Sequence, residues 1–508
     1  MSDLRVGVFG WGIVAPKSPD IDAFTRNLSG SGSWLSPFHA FGPSNFLVGQ
    51  PEFDFLRYQP WIDSRFPPRH FHTLVEKMDM PTRFAIGAFI QALGQNPGLE
   101  AVLQELGTST HVYVGSGLGN VETLYQASIA HDRAQRRWNR FWSDPAHNSA
   151  LRDAGEQPPL PGGDPDAEDA WHAAWTARSP ELTRYLAELS AIESIAIESN
   201  NIEAGKLAAI REKGKRRARL EEEWKVPEPP WKVSANVIWN LHNTPAAQIA
   251  ILGKLHGLTF APVAACSTFG VTLKLALDAI RRGEAKAVIV GATDPPPHPL
   301  VVGAFHSARV LSAGRQISLP LTRFQGTHIA GGAAVWIIGD FDYLCSKGFR
   351  PLGMEPLAVG VSSDAQHIIT PSTEGPPLAI QQALANAHAA PDDFGTWDLH
   401  ATATPGDFSE VSTFRSIFPG QVLVTARKGT FGHGMSAGAG WELTAQYLGY
   451  ARGKLFPTQL TPGELNRAIG AVHGEMMFDA EREAPAGLAG KLSMGIGGIN
   501  ACVISRPL

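Results

Sequence analysis

Short apolar runs closed by glycine, proline or a polar turn recur along the first part of the chain. Leu4 to Val14 is such a run, ended by Ala15-Pro16, and it reads as a buried strand. His111 to Gly115 is another, leading into the turn Gly115-Ser116-Gly117-Leu118-Gly119. Val263 to Ala265 and Ala287 to Gly291 continue the series. Between these runs the apolar positions change to helical spacing, over residues 81 to 94 and about 269 to 282. The pattern restarts near Phe349. Leu357 to Val361 reads as a strand and Pro377 to His388 as a helix. Asp398-Leu399 and Val422 to Thr425 read as strand ends, Ala439 to Arg452 as a helix, and Ala501 to Ile504 as a closing strand. Strands alternating with helices predict an α/β fold with a largely parallel sheet. The two parts share an echo: Cys266-Ser267-Thr268-Phe269-Gly270 precedes one long helix and Gly429-Thr430-Phe431-Gly432 another.

The pattern lapses between residues 132 and 230. This stretch begins rich in Trp, His and Arg and passes through Pro158-Pro159-Leu160-Pro161-Gly162-Gly163. Leu182 to Trp224 is then mostly helix-forming, with Gly205 and Gly214 as weak points. Arg211 to Arg219 is strongly basic and is followed by Glu221-Glu222-Glu223. Two readings stand: a solvated helical insertion with self-compensating charge, or a cap or docking face for an acidic partner. The expected organisation is an N-terminal half of residues 1–131 and 231–345, a helical insertion of 132–230, and a C-terminal half of 346–508.

Composition narrows the function classes. A chain of 508 residues can bury one or two sizeable cores, and 44% hydrophobic residues is ordinary for a soluble globular protein. A net charge of −5 argues against generic nucleic-acid binding. No apolar run is long enough to span a bilayer, and Met1-Ser2-Asp3-Leu4-Arg5 enters a strand with no signal-peptide pattern. Three cysteines, Cys266, Cys345 and Cys502, fit a reducing cytoplasm rather than a disulfide framework. No Cys-x-x-Cys or His-Glu-x-x-His pattern suggests a metal site. Gly10-Trp11-Gly12 resembles part of a dinucleotide fingerprint, but lacks the third glycine and a helix directly behind it.

Candidate chemistry gathers at the strand ends. Cys266 lies in a strand-to-helix turn, where the helix dipole favours a thiolate and backbone N–H groups can face an oxyanion. Taken alone, it reads equally well as a buried structural cysteine. His400 opens the turn His400-Ala401-Thr402-Ala403-Thr404-Pro405, and His433 lies five residues after Lys428. A nucleophile, two histidines and a lysine all fall on the sheet edge where open α/β folds bind ligands.

With these residues in view, the sequence resembles the elongating, acyl-carrier-protein-dependent β-ketoacyl synthases. Ala264-Ala265-Cys266-Ser267 and the helix through Ala279 to Ala285 are similar to the family's nucleophile motif. Phe305 to Ser312, the His400 to Pro405 turn, Lys428 to His433, and Gly495-Ile496-Gly497-Gly498-Ile499-Asn500 resemble its further landmarks, in order. The resemblance implies a thiolase-like, five-layered αβαβα fold of two similar halves. It implies that Cys266 accepts an acyl group, and that His400 and His433 stabilise the enolate formed when malonyl carrier protein loses carbon dioxide. Lys428 would orient the pair. The N–H groups of Cys266 and Ile496 would form the oxyanion hole, and Thr402, Thr404, Phe305 and Ile496 would contact the substrate and its phosphopantetheine arm. It implies no bound metal or organic cofactor, an acyl carrier protein (or coenzyme A) as substrate carrier, and a homodimer or a heterodimer with a sister subunit.

The sequence also departs from the family. Ala401 and Ala403 stand where glycines are usual, and the stretch to Asp407 is one residue short. Ile496 stands where a gating phenylalanine is usual, and Gly331 where a glutamate supports the lysine region, so Lys428 is expected to be held differently. These changes point to fatty-acid-like or polyketide secondary metabolism. Two rivals remain open: an acyltransferase or non-decarboxylative condensing enzyme using the same cysteine, and a non-catalytic partner that shapes a sister subunit's pocket. A thiolase proper would need a second catalytic cysteine, and Cys502 lies past the glycine motif, so Cys345 and Cys502 read as structural.

Overall fold

A computed structural model describes residues 4–508 apart from 31, 43–44, 156–158, 197–201, 461 and 474–479. The expectations for Met1 to Asp3, for Pro158, and for residues 197–201 of the helix-forming stretch lie outside the described residues. The chain divides into two compact units: residues 1–122 with 238–508, and residues 123–237.

The larger unit is built from two five-stranded sheets. Along the chain its first half runs β1 (Val6–Val14), α1 (Met80–Gly94), β2 (Thr110–Gly115), α2 (Thr244–Gly253), β3 (Thr259–Phe260), α3 (Thr268–Arg281), β4 (Ala287–Asp294) and β5 (Gly332–Asp340). The second half runs β6 (Met354–Ser363), α4 (Gly375–Ala387), β7 (Phe394–Asp398), α5 (Gly406–Ile417), β8 (Leu423–Thr425), α6 (Met435–Ala451), β9 (Leu488–Gly495) and β10 (Ile499–Pro507). The first sheet has the order β1-β5-β4-β2-β3 and the second β6-β10-β9-β7-β8. Strand for strand these are the same topology. In each sheet the first two pairings are antiparallel and the last two parallel. The duplication hinted at by the glycine echo is therefore a duplication of a whole half.

The sheets are mixed, not largely parallel as the alternation predicts. The cause is β5 and β9, two strands that the pattern does not register. Each lies antiparallel to a neighbour; β9 and β10 form a hairpin closed by Gly497 and Gly498, both at positive φ (96° and 71°). The strand expected at Val263 to Ala265 lies earlier, at Thr259–Phe260. Pro262 has no N–H to give the ladder, and Ala265–Ser267 tightens into a 3-10 turn. The four helices read from periodicity form within a few residues of their expected bounds.

Three buried clusters hold five strata together. One packs α1 and α2 onto the outer face of the first sheet, through Phe84, Phe89 and Ile249. One fills the space between the sheets with α3 and α6, through Phe269, Leu273, Trp441 and Tyr447. One packs α4 and α5 onto the second sheet, through Ile380, Val411 and Phe414. The order is αβαβα, as the resemblance implies. Gly10 and Gly12 are explained by this packing and not by a nucleotide. A Cβ on them would lie 2.3 and 1.9 Å from the carbonyl oxygens of Ala92 and Ala88 in α1. No helix among the described residues is long and apolar enough to cross a membrane.

The second unit starts and ends several residues outside the expected 132–230. Its helices include Val121–Trp142, which begins just before the unit, and Pro165–Thr176, Pro180–Glu193 and Ile202–Trp224. Asp164 and Ser179 cap the second and third of these. Trp138, Trp142, Tyr185 and Leu220 form its own buried cluster, with Phe141 and Trp224 against it. Gly205 and Gly214 do not break the last helix, which runs through both.

Candidate active site

Each half contributes its sheet-edge turns to one place. Cys266 follows β3, and His433 follows β8, the equivalent strand of the second half. His400 follows β7, next to β8 in the same sheet. The two short edge strands thus present a thiol and an imidazole from matching turns.

The turn that carries Cys266 is held in an uncommon conformation. Ala265, just before it, has φ 46°, in the left-handed region that costs a non-glycine residue about 1–2 kcal/mol. Thr268 offsets this by accepting from Ala264 N–H (3.0 Å) and donating to the Ala265 carbonyl (2.7 Å). Ser267 donates to the Ile499 carbonyl (2.7 Å) and fastens the turn to the β9–β10 hairpin. That brings the backbone N–H groups of Ile496 and Cys266 onto the Cys266 sulfur.

His433 Nε2 lies 3.1 Å from Cys266 Sγ. The His400 and His433 rings are 5.4 Å apart and nearly perpendicular, at 83°. His433 is fixed by its backbone, donating to the His328 carbonyl (2.6 Å) and accepting from Ala330 N–H (2.9 Å). Gly432 makes this approach possible: its φ is 80°, and a Cβ would sit 2.9 Å from the His328 carbonyl oxygen. Among the described residues the His433 Nδ1 has no hydrogen-bond partner. Its tautomer is therefore not locked by a neighbour among the described residues, and Nε2 is free to accept or donate.

Burial sets the protonation states. It pushes the Cys266 thiol up to about 11, against the opposing pull of Lys428. The helix-end argument for a resting thiolate is thus outweighed by desolvation. Burial, reinforced by the positive charge of Lys428, also lowers both histidines well below their ordinary value. The resting pair is a neutral thiol beside a neutral imidazole acceptor. Alkylation of Cys266 by iodoacetamide, followed by intact mass, is therefore expected to keep accelerating with pH through the alkaline range. A rate that levels off near neutrality would contradict a resting thiol.

The turn after His400 is organised by two carboxylates on α5. Glu410 accepts from the His400 and Ala401 N–H groups (2.6 and 2.8 Å). Asp407 accepts from Thr402, Ala403 and Thr404 N–H (2.8, 3.0 and 3.4 Å) and from Leu321 N–H (2.9 Å). Burial raises them to about 6 for Asp407 and about 7 for Glu410. Of the two alanines that replace glycines, only Ala403 has a positive φ, 60°. The shortened turn closes on Asp407, and the cost of the missing glycine falls on this one residue.

Lys428 lies beneath the pocket. Its Nζ donates to the His400 carbonyl (2.5 Å) and to Glu442 Oε1 (2.7 Å). Glu442 supplies the acid that the sequence reading sought at Gly331. No side chain fits at Gly331, where a Cβ would lie 2.1 Å from the Pro295 carbonyl oxygen. Lys491 Nζ pairs with the other oxygen of Glu442 at 2.8 Å. Glu410, Glu442 and Lys491 were not singled out from sequence. A signal existed for the lysine, which interrupts the apolar run Leu488 to Met494.

A pocket of about 750 Å³, counting the space at its mouth, is lined by Cys266, Phe305, His400, Thr402, Thr404, His433 and Ile496 among others. Thr402 and Thr404 hydroxyls are 3.0 Å apart along its wall. Every candidate residue read from sequence lines this cavity except Lys428. Cys502 lies elsewhere, fully buried in β10, and Cys345 follows β5 in the first half. Among the described residues no group of three or more His, Cys, Asp or Glu is placed to hold a metal ion.

Residues 190–339 match the family model of the β-ketoacyl synthase N-terminal domain, and residues 355–460 that of the C-terminal domain, together about half of the chain. The chain belongs to the β-ketoacyl synthase family. Similarity to the chloroplastic 3-oxoacyl-[acyl-carrier-protein] synthase I of Arabidopsis thaliana is 28% identity over 273 residues, 51% of this chain and 56% of that protein. The aligned stretch thus spans about half the length of that curated relative. Among solved structures, the ishigamide ketosynthase/chain length factor matches with a TM-score of 0.69 and 18% identity over 99% of both chains. A type II PKS acyl-carrier protein in complex with its ketosynthase bound to the hexaketide matches with a TM-score of 0.67 and 15% identity, also over 99% of both chains. At such identities these two establish the fold alone: this member of the family has the thiolase-like architecture in its larger unit, including β1, α1 and β2, which precede the matched family domains.

Proposed function

We propose that this protein is a β-ketoacyl-acyl-carrier-protein synthase that joins acyl units by decarboxylative Claisen condensation. The observation that carries the reading is the Cys266 thiol 3.1 Å from an unlocked His433 imidazole, with His400 across the same pocket. In the first half-reaction the Sγ–H proton passes to His433 Nε2 as sulfur attacks the incoming thioester carbonyl. The N–H groups of Cys266 and Ile496 receive the oxyanion. The carrier's C–S bond breaks, and its thiolate takes the proton back. In the second, a malonyl thioester binds with its carbonyl oxygen between His400 and His433. The bond to its carboxylate breaks, carbon dioxide leaves, and the electron pair forms an enolate that the two neutral imidazoles hold by hydrogen bonds. The enolate carbon attacks the Cys266 thioester, the new C–C bond forms, and the C–S bond breaks. The Cys266 thiolate set free takes up one proton from solvent, favoured because burial raises the thiol's affinity for it, and the cycle is complete. No step asks the chain for a metal or organic cofactor.

The ketosynthase solved with its acyl-carrier protein supports an acyl carrier protein as the substrate's carrier. Ile496 at the usual gate and the similar polyketide structure support fatty-acid-like or polyketide secondary metabolism. A second copy or a sister subunit would cover the free edge of β3. Leu258 and Val263 flank that edge and are 56% and 55% exposed, a poor arrangement for an uncovered sheet edge. The helix Ile202–Trp224 offers an acidic carrier a basic face. Arg216 and Arg217 are paired with Glu212 and Glu193, while Arg211, Lys215 and Arg219 are exposed.

The test is intact-mass and product analysis with a panel of acyl carrier proteins and malonyl carrier protein. An acyl adduct on Cys266, release of carbon dioxide and a β-ketoacyl product are expected. Acylation without condensation by any extender would favour an acyltransferase instead. No acylation, alone or with a sister subunit, would favour a non-catalytic partner. The same panel with Arg211, Lys215 and Arg219 changed to glutamine is expected to show weaker carrier binding at low salt only. Unchanged affinity would remove the docking face.

A further inference from the structure

The chain buries a second lysine against the condensation site, and the mechanism above does not use it. Lys491 is 0% exposed, on β9, in register with Asp398 at the end of β7. Its Nζ meets Glu442 Oε2 at 2.8 Å, the Leu399 carbonyl at 3.2 Å and the Leu492 carbonyl at 2.7 Å. Lys428 takes the other oxygen of Glu442 and the next carbonyl along, that of His400. Two ammonium groups bridged by one carboxylate thus grip two consecutive carbonyls at the root of the His400 turn. We propose that Lys491 is a positioning residue for the condensation: it fixes the strand end that carries His400 and sets a second positive charge beneath the His400–His433 pair.

Charge accounting supports the second part. Lys428 and Glu442 alone would form a neutral pair beneath the histidines. Lys491 adds a positive charge in a place that salt does not screen. The other charged or titratable groups facing the pair are Arg427 beside β8, Asp398 on β7, Asp407 and Glu410 on α5, Asp294 at the end of β4, and Cys266 itself. Asp398 lies 3.4 Å from Arg427 and is held by both Lys491 and Arg427, Lys491 the more strongly. Asp407 and Glu410 are spent on backbone N–H groups, and Asp294 on Ser116, Leu118 and Ser436. Lys491 also faces Asp398 and Glu410, and after burial Lys428 and Lys491 both oppose a proton on His400. A cation near imidazole disfavours imidazolium, so removing it raises the histidine pKa, and the acid limb of any step needing neutral imidazole moves to higher pH.

The inference rests on the condensing reading, and the experiment separates the two. Decarboxylation of malonyl carrier protein is followed against pH for wild type, Lys491→Met, Lys491→Gln and Lys491→Arg. Histidine titration is read by NMR in the same proteins without substrate. Loss of the charge in the methionine and glutamine variants is expected to move the acid limb up by about one pH unit, roughly a tenfold loss at a pH on that limb. The arginine variant is expected to keep the wild-type limb, whatever its kcat. Should the methionine variant fail to fold, the glutamine variant, which retains hydrogen-bond donors, decides. Lower rates at every pH with an unmoved limb and unmoved histidine titration in the glutamine variant would reduce Lys491 to a structural strut and overturn the proposal. A wild type that never decarboxylates malonyl carrier protein would sink the condensing reading, while the NMR titration would still decide the charge effect of Lys491.

Discussion

Cys266→Ala is expected to abolish acyl loading and to lower β-ketoacyl product formation by at least about 10⁴-fold, the scale of losing a covalent nucleophile. Alanine keeps the turn: Ala265 already carries the left-handed backbone, and the contacts of Thr268 and Ser267 do not involve the sulfur. Loss of product therefore reads chemistry and not folding. Decarboxylation is a separate matter. It requires His400, His433 and room for a malonyl thioester, all of which the variant retains. Carbon dioxide release from malonyl carrier protein should remain measurable in Cys266→Ala and should fall in His400→Ala. A variant that still forms β-ketoacyl product would show that the acyl group never rests on Cys266. A variant in which decarboxylation stops with loading would mean that the sulfur takes part in both half-reactions.

Why the candidates in the turns were legible and Glu410, Glu442 and Lys491 were not follows from where each sits. Cys266, His400, Lys428, His433 and Ile496 lie in turns at strand ends, where glycine, threonine and proline break the apolar pattern and draw attention to the residues between them. Glu442 lies inside α6, a helix whose residues are buried on nearly every side. In a sequence, one glutamate in such a helix reads as a solvent-facing position. Lys491 and Ser493 alternate with apolar residues, which reads as the wet face of an edge strand. Yet β9 is central, and both its faces are covered. Glu410 follows Asp407 by three residues and reads as ordinary acid in a helix's first turns, where the dipole favours it. The sheet pairing differs from the expected one for a related reason. Residues 332–340 and 488–495 carry glycine or lysine within their apolar runs, and without those strands the remaining alternation suggests parallel crossovers. What sequence withheld was the second ring of support, which has meaning only once two halves of the chain are face to face.

That ring leads to the second large effect. Glu442→Ala would leave Lys428 and Lys491 facing each other with no carboxylate between them, both buried. Removing one partner of a buried ion pair costs about 3–5 kcal/mol, because the remaining charge stays desolvated. Here two cations lose the same partner, so the variant is expected at the upper end of that range. A fall in Tm of several degrees by calorimetry, or failure to accumulate folded protein, would be the reading. Glu442→Gln, which keeps the shape, should cost less. Acid should act in the same direction. Burial alone would raise the Glu442 carboxyl, but the combined pull of Lys428 and Lys491 reverses this and leaves its pKa below the ordinary value. A lowered carboxylate contributes its full stability above its unfolded pKa and loses it only as pH falls through the lower folded value. The wild type should therefore hold this contribution through the mildly acidic range, and Glu442→Gln should lack it at every pH above that point. The gap in stability between the two proteins should narrow only at strongly acidic pH. A constant gap across the whole range would show that the carboxylate acts by shape and not by charge, and the case for a two-lysine clamp beneath His400 would lose its electrostatic half.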